Sequence, residues 1–212
     1  MTRLYIVCEG LSEVSFVAQV LKPHLEVLDP LLSVSAPNLK GHYTYAQLKK
    51  FVRNLLGPPS ALVVVTTMVD LFKIPGDFPG IAAASDEPSV QRVHRLESEC
   101  AADIDDRRFF SYLQLHEFEA LLLADLMPLA KLHPNRRKGI SELATPLERD
   151  FESPEHVDRL RPPSYWIKEA VPGYSKTIDG PATASEIGLP KLRSRCPHFG
   201  QWLRRMEELV HP

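Results

Sequence analysis

Glu9 follows the apolar run Leu4-Tyr5-Ile6-Val7-Cys8, and Asp70 follows Leu62-Val63-Val64-Val65-Thr66-Thr67-Met68-Val69. His116-Glu117-Phe118-Glu119 comes after a third run, Phe109-Phe110-Ser111-Tyr112-Leu113. Acids at the ends of candidate strands point to a site, because open α/β sheets bind ligands beyond the carboxyl ends of their strands. Carboxylates that converge there repel one another unless a cation sits among them. Hard oxygen ligands of this kind suit a divalent cation.

The neighbouring residues refine this chemistry. Glu9 and Glu13 are four apart, so both can reach one cation from one side. Glu13 in a first helical turn would also be favoured by the helix dipole. Asp77 reads as a turn residue before Phe78-Pro79-Gly80. Glu117 and Glu119 are two apart and point away from each other on a helix, so at most one of them joins a common site unless the segment is irregular. His116 could bind metal, shuttle a proton or simply cap a helix. The segment is not HExxH, which removes the zincin reading. Lys176, in Tyr174-Ser175-Lys176, is a loop cation that could balance charge on a phosphoryl group or simply be solvated. Walker A, GxGxxG and GxSxG patterns are absent, against a motor NTPase, a dinucleotide enzyme and a serine hydrolase.

These residues need elements to position them. Residues 4–8 read as a buried strand, ended by Gly10. Ser12 is a candidate cap for a helix carrying Val14, Val17, Ala18, Leu21, Leu25 and Leu28, and Pro23 should kink or split it. Residues 31–36 form a possible second strand, and 44–56 a helix with Tyr45, Leu48, Phe51, Val52 and Leu55 on one face. Residues 57–60 form a turn. Residues 62–69 are rich in β-branched side chains, as in a central strand covered on both faces. A Gly/Pro-rich loop at 70–86, a helix at 89–102, a strand at 109–115 and a helix at 118–125 follow. This alternation implies a doubly wound, mostly parallel sheet.

Beyond residue 126 prolines become frequent, short helices are expected at 155–160, 164–171, 182–187 and 198–209, and residues 173–176 and 179–181 look like loops. The expected organisation is an α/β core at 1–125 with a helical extension at 126–212 packed on it.

Composition sets bounds. With 44% hydrophobic residues in 212, the chain can bury a substantial core. The cysteines Cys8, Cys100 and Cys196 are far apart and form no CxxC, so reduced thiols in a cytoplasmic protein are expected. The opening apolar run is too short for a secretory signal, and no stretch reaches the ~20 apolar residues of a membrane span. A net charge of −2 is unlike an autonomous DNA-binding domain. Positive charge is local, at Arg136-Arg137-Lys138, Arg159 with Arg161, Lys191 with Arg193 and Arg195, and Arg204-Arg205.

Cys8-Glu9-Gly10-Leu11-Ser12-Glu13 with Phe16 resembles the "strand, then Glu-Gly-x-[Ser/Thr]-Glu" opening of Toprim domains, shared by topoisomerases, bacterial primases and overcoming-lysogenization-defect (OLD) nucleases. More closely, the chain resembles a Toprim-like bacterial family of unknown function, DUF4276. The matching pieces are Thr67-Met68-Val69-Asp70-Leu71-Phe72, Phe78-Pro79-Gly80, Leu115-His116-Glu117-Phe118-Glu119-Ala120-Leu121-Leu122, and Tyr174-Ser175-Lys176 with Asp179-Gly180.

The resemblance implies a Toprim-like (Rossmann-like) fold and Mg²⁺- or Mn²⁺-dependent phosphoryl transfer, such as a nuclease acting on DNA. Glu9, Asp70 and Glu117 or Glu119 would hold metal, with Glu13 and Lys176 assisting catalysis. Toprim domains carry Asp-x-Asp after a later strand. Asp70 matches the first acid, and Phe72 stands where the second belongs. The resemblance also implies an ATPase partner in repair or mobile-element defence. A non-catalytic interaction module of an ATPase-containing complex is the alternative, and a homo-oligomer is compatible with both.

Overall fold

A computed structural model describes residues 2–59, 62–82, 88–157 and 161–209. Ser60, the end of the expected loop at Asp86, Arg159 and the tail of the helix expected at 155–160 lie outside the described residues. The described chain is an α/β fold with a five-stranded sheet in the order β2-β1-β3-β4, with β5 also paired to β3. These strands are β1 (Thr2–Cys8), β2 (Leu32–Ser35), β3 (Val63–Asp70), β4 (Phe109–Phe110) and β5 (Leu113–Gln114), and every pairing is parallel. The chain steps from β1 outward to β2, then crosses back to lay β3 on β1's other side. The strand order therefore reverses between β1 and β3, the crevice in which such sheets bind ligands.

Both faces of the sheet are covered. Leu4, Ile6, Cys8 and Met68 face one core with Phe16, Leu21 and Leu25, whereas Val7, Val65 and Val69 face a second core with Leu48, Val52, Val93 and Leu96. The first layer begins with α1 (Leu11–Phe16) and α2 (Lys22–Leu28), and the second comprises α3 (Tyr45–Leu56) and α4 (Ser89–Ile104). Pro23 does not break the first layer. A π-helical turn at Val17–Leu21 precedes it, with Lys22 N–H donating to the Val17 carbonyl. The wider turn accommodates a ring that cannot donate and that crowds the preceding turn. The cap of α1 is Gly10 rather than Ser12, and the Glu13 carboxylate accepts from Gly10 N–H at 3.0 Å.

The strand expected at 109–115 is interrupted. β4 and β5 keep one register against β3, but between them Thr67 substitutes for the ladder: its hydroxyl accepts from Tyr112 N–H and donates to the Tyr112 carbonyl, both at 2.9 Å. Thr67→Val keeps the shape and strands two buried backbone groups. An unmade buried hydrogen bond costs about 1–3 kcal/mol, so a loss of about 2–4 kcal/mol is expected in urea unfolding at unchanged slope. A loss below about 1 kcal/mol would mean that the two strands re-pair directly.

After β5 come α5 (Glu119–Leu122), α6 (Met127–Leu132), α7 (Arg137–Asp150), α8 (Pro163–Ala170), α9 (Asp179–Ile187), α10 (Leu189–Arg195) and α11 (Pro197–Glu208). α6, α7 and α10 were not expected, and the supposed loop at 179–181 is the first turn of α9. The later helices share the core of α1: Leu129, Ile140, Ile167 and Leu203 pack into the cluster that contains Leu4, Ile6 and Phe16. Among the described residues no helix is long and apolar enough to cross a membrane.

Candidate functional site

The carboxyl ends of β1 and β3 lie side by side. Glu9 N–H donates to the Met68 carbonyl at 3.2 Å, and the Glu9 carboxylate accepts from Asp70 N–H at 3.0 Å. Beyond β2, residues 37–41 run along the end of β1: Leu39 N–H donates to the Cys8 carbonyl and Gly41 N–H to the Glu9 carbonyl, each at 2.9 Å. Lys40 and Gly41 turn this segment with left-handed backbone. Together they form a cavity of about 570 Å³ lined by Glu9, Glu13, Asn38, Lys40, Asp70 and Lys176, among others.

Lys176 arrives from the connection between α8 and α9. Ser12 Oγ donates to its carbonyl at 3.2 Å, and Ser175 N–H donates to the Asp179 carboxylate at 2.8 Å. Gly180 permits the close approach of this segment, since a Cβ there would lie 3.0 Å from the Tyr174 hydroxyl and 3.1 Å from the Phe118 ring. The Lys176 ammonium stands 3.1 Å from Glu119 Oε2 and 3.5 Å from Asp70 Oδ2. Glu119 is fully buried, and this ion pair is its contact with a charged group of opposite sign. Asp70 Oδ1 is buried and without a hydrogen-bond partner among the described residues.

The electrostatics follow from the burial. Burial pushes the Asp70 carboxyl well above the ordinary aspartate range, Lys176 opposes this, and Glu13, Glu9 and Glu119 add to it. Burial likewise raises Glu119 against the pull of Lys176. Burial alone would depress Lys176, but Asp70 and Glu119 hold its ammonium above the usual lysine range. Lys176 is thus the cation in contact with both Asp70 and Glu119, with Glu9 and Glu13 close to Asp70.

The structure therefore brings Glu9, Glu13, Asp70, Glu119 and Lys176 together. It does not bring Glu117 with them: Glu117 accepts from Ser164 N–H at 3.1 Å and caps the start of α8. His116 adopts left-handed backbone, and its Nε2 lies 3.2 Å from the Glu155 carbonyl. Asp77 caps α3, accepting from Tyr45 N–H at 2.9 Å. Phe72, which stands where the sequence resemblance leads us to expect a second acid, is 53% exposed. The walls contributed by Asn38, Lys40 and Thr177 were not foreseen, nor was Tyr43, whose hydroxyl is buried near Glu9 and Asp70 and pushed upward by burial and by their charge. The signal available was the position of residues 37–43, directly after the second strand at the same end of the sheet.

An all-parallel sheet with an acidic cavity at its strand-order reversal defines the class: an α/β protein with its cavity at the carboxyl ends of its central strands, where sheets of this kind bind ligands. The chain belongs to the family described as a domain of unknown function (DUF4276), which it matches over residues 8–207. Among solved structures it is similar to the C-terminal region of the Burkholderia pseudomallei OLD protein, at 17% identity and a TM-score of 0.48, covering 99% of this chain and 97% of that one. It is also similar to the C-terminal region of the Xanthomonas campestris pv. campestris OLD protein, at 15% identity and a TM-score of 0.44, covering 99% and 98%. No curated protein matches.

Proposed function

We propose that this chain is a Toprim-like, Mg²⁺- or Mn²⁺-dependent nuclease that works on DNA with an ATPase partner. The observation that carries the reading is Asp70 Oδ1, buried and unpartnered beside Glu9 and Glu13 at the reversal between β1 and β3. The donor set fits a hard divalent ion. Among the described residues no three of these carboxylates draw their oxygens within 4.8 Å of one another, so the site is an open cradle rather than a closed cage. Mg²⁺ is suited to that, since it keeps several waters and is held by one or two carboxylates together with substrate phosphate.

When bound, the ion supplies charge neutralisation at a phosphate and an activated water. Asp70 and Glu9 would hold it. Glu13, its carboxylate fixed on Gly10 N–H, presents negative charge to the cavity and can take a proton from water. Lys176 presents its ammonium beside Asp70, where it would offset charge gained by a phosphoryl group, an effect that contributes a few kcal/mol. Glu119 holds Lys176 in place from behind. The net charge of −2 leaves little non-specific grip on DNA, and supplying that grip is the partner's role in this reading.

The direct test is supercoiled plasmid incubated with the purified chain and Mg²⁺ or Mn²⁺, against EDTA and against Glu9→Gln. Metal-dependent nicking that the variant loses supports the reading. Equal cleavage by both proteins, or cleavage in EDTA, removes the site. A second expectation concerns Lys176→Met. Breaking a fully buried ion pair costs about 3–5 kcal/mol. Lys176 is 37% exposed, so a loss of about 2 kcal/mol is expected in EDTA. Millimolar Mg²⁺ should then raise the melting temperature of the variant more than that of the wild type, by linkage to binding. An equal Mg²⁺ effect on both proteins would show that Lys176 and the ion do not share the pocket.

A further inference from the structure

A separate cavity of about 200 Å³ lies between α4, β4 and α11, and none of its lining residues belongs to the acidic pocket. On its wall His94, Glu97 and His198 each offer a ligand atom within 4.8 Å of the other two, the group of this kind found among the described residues. Glu97 Oε1 lies 3.0 Å from His198 Nε2, and Glu97 Oε2 lies 4.0 Å from His94 Nδ1. Atoms 2.0–2.1 Å from a tetrahedral Zn²⁺ stand about 3.3 Å from one another, between these two spacings. We propose that His94, Glu97 and His198 form a second cation site, for a borderline divalent ion of the Zn²⁺ type.

Two of the three side chains are already fixed. Glu97 Oε1 accepts from Leu113 N–H at 2.7 Å. His198 is buried and its ring stacks on Tyr112 with centroids 5.0 Å apart; its Nε2 now shares a proton with Glu97 and the Leu113 carbonyl, 3.2 Å away, and an ion bound there would displace that proton. The His198 backbone N–H donates to Glu155 at 2.9 Å, which anchors the first turn of α11. His94 sits one turn before Glu97 on α4 and is half exposed, so its ring has room to turn toward the other two. Two imidazoles and one carboxylate favour Zn²⁺, Co²⁺ or Ni²⁺ over Mg²⁺. Three protein ligands beside open space leave a fourth position for water or a small anion. Arg205, its guanidinium 4.3 Å above the Phe110 ring, lines the same cavity and favours the anion.

The test uses the full chain stripped with EDTA and titrated with Zn²⁺ by calorimetry and with Co²⁺ by visible absorption. One equivalent is expected, with the ligand-field spectrum of a four-coordinate Co²⁺ ion. His94→Ala changes an exposed side chain and leaves the buried packing intact. It should weaken uptake by roughly 100-fold or more, since even outer-shell changes cost 10–100-fold. Asp70→Asn should leave the spectrum and the affinity unchanged. No uptake, uptake indifferent to His94→Ala, or uptake lost in Asp70→Asn would each overturn the proposal. The first would reduce the trio to a structural clamp, and the last would assign the ion to the acidic pocket.

Discussion

Asp70→Asn should abolish metal-dependent DNA cleavage while leaving the protein folded and at least as stable in EDTA. Asparagine keeps the shape but removes the charge that would bind the ion. A loss of about 4 kcal/mol of stabilisation in the transition state is about a thousandfold in rate. The apo protein should not suffer, because burial and the charges of Glu13, Glu9 and Glu119 already work against an ionised Asp70. Lys176 retains Glu119 as its partner. Initial cleavage rates and thermal melts in EDTA, measured on the same preparations, separate these effects. Full cleavage by a well-folded variant would sink the assignment of Asp70.

Phe118→Ala should produce the largest loss of stability. The ring is fully buried, meets Phe16 edge-on with centroids 5.6 Å apart, and packs beneath Gly180. Phe→Ala in a core costs about 3–5 kcal/mol, a large share of the ~5–15 kcal/mol that holds a typical domain together. Phe118 also separates Glu117, which caps α8, from Glu119, which holds Lys176. Metal affinity should therefore fall along with the denaturation midpoint. A loss below about 1.5 kcal/mol would show that α5 and α9 close over the gap.

Much of the sheet was legible because its strands are apolar runs ended by charge. Leu4 to Cys8 and Val63 to Val69 announce themselves by β-branched and buried residues, and the acid after each marks the carboxyl end. Of the grouped residues, Glu9, Glu13, Asp70 and Lys176 were reachable by the same logic and by family resemblance. Glu119 could be separated from Glu117 only once the short α5 fixed which one faces inward.

Of the helices after Leu126, α6, α7 and α10 were not read, in a stretch where prolines are frequent. Pro128, Pro163, Pro190 and Pro197 occupy the first turns of α6, α8, α10 and α11, where a missing N–H leaves no bond unmade. The break between β4 and β5 was hidden because a threonine side chain, not a backbone signal, carries the pairing there. His94 and Glu97 carry no local signal of a site, since His198 lies 101 residues beyond Glu97.

The acids of the pocket all occur by residue 119, whereas the ammonium that faces them is at 176. Ribosomes deliver the N-terminal part first. A nascent chain that has formed β1 and β3 thus carries a knot of mutually repelling anions until the segment before α9 emerges. Early collapse is held back by that repulsion, and arrival of the late lysine releases it. Sheet and helical layer should accordingly fold as one cooperative event, and a ribosome-stalled chain ending before Lys176 should stay protease-sensitive.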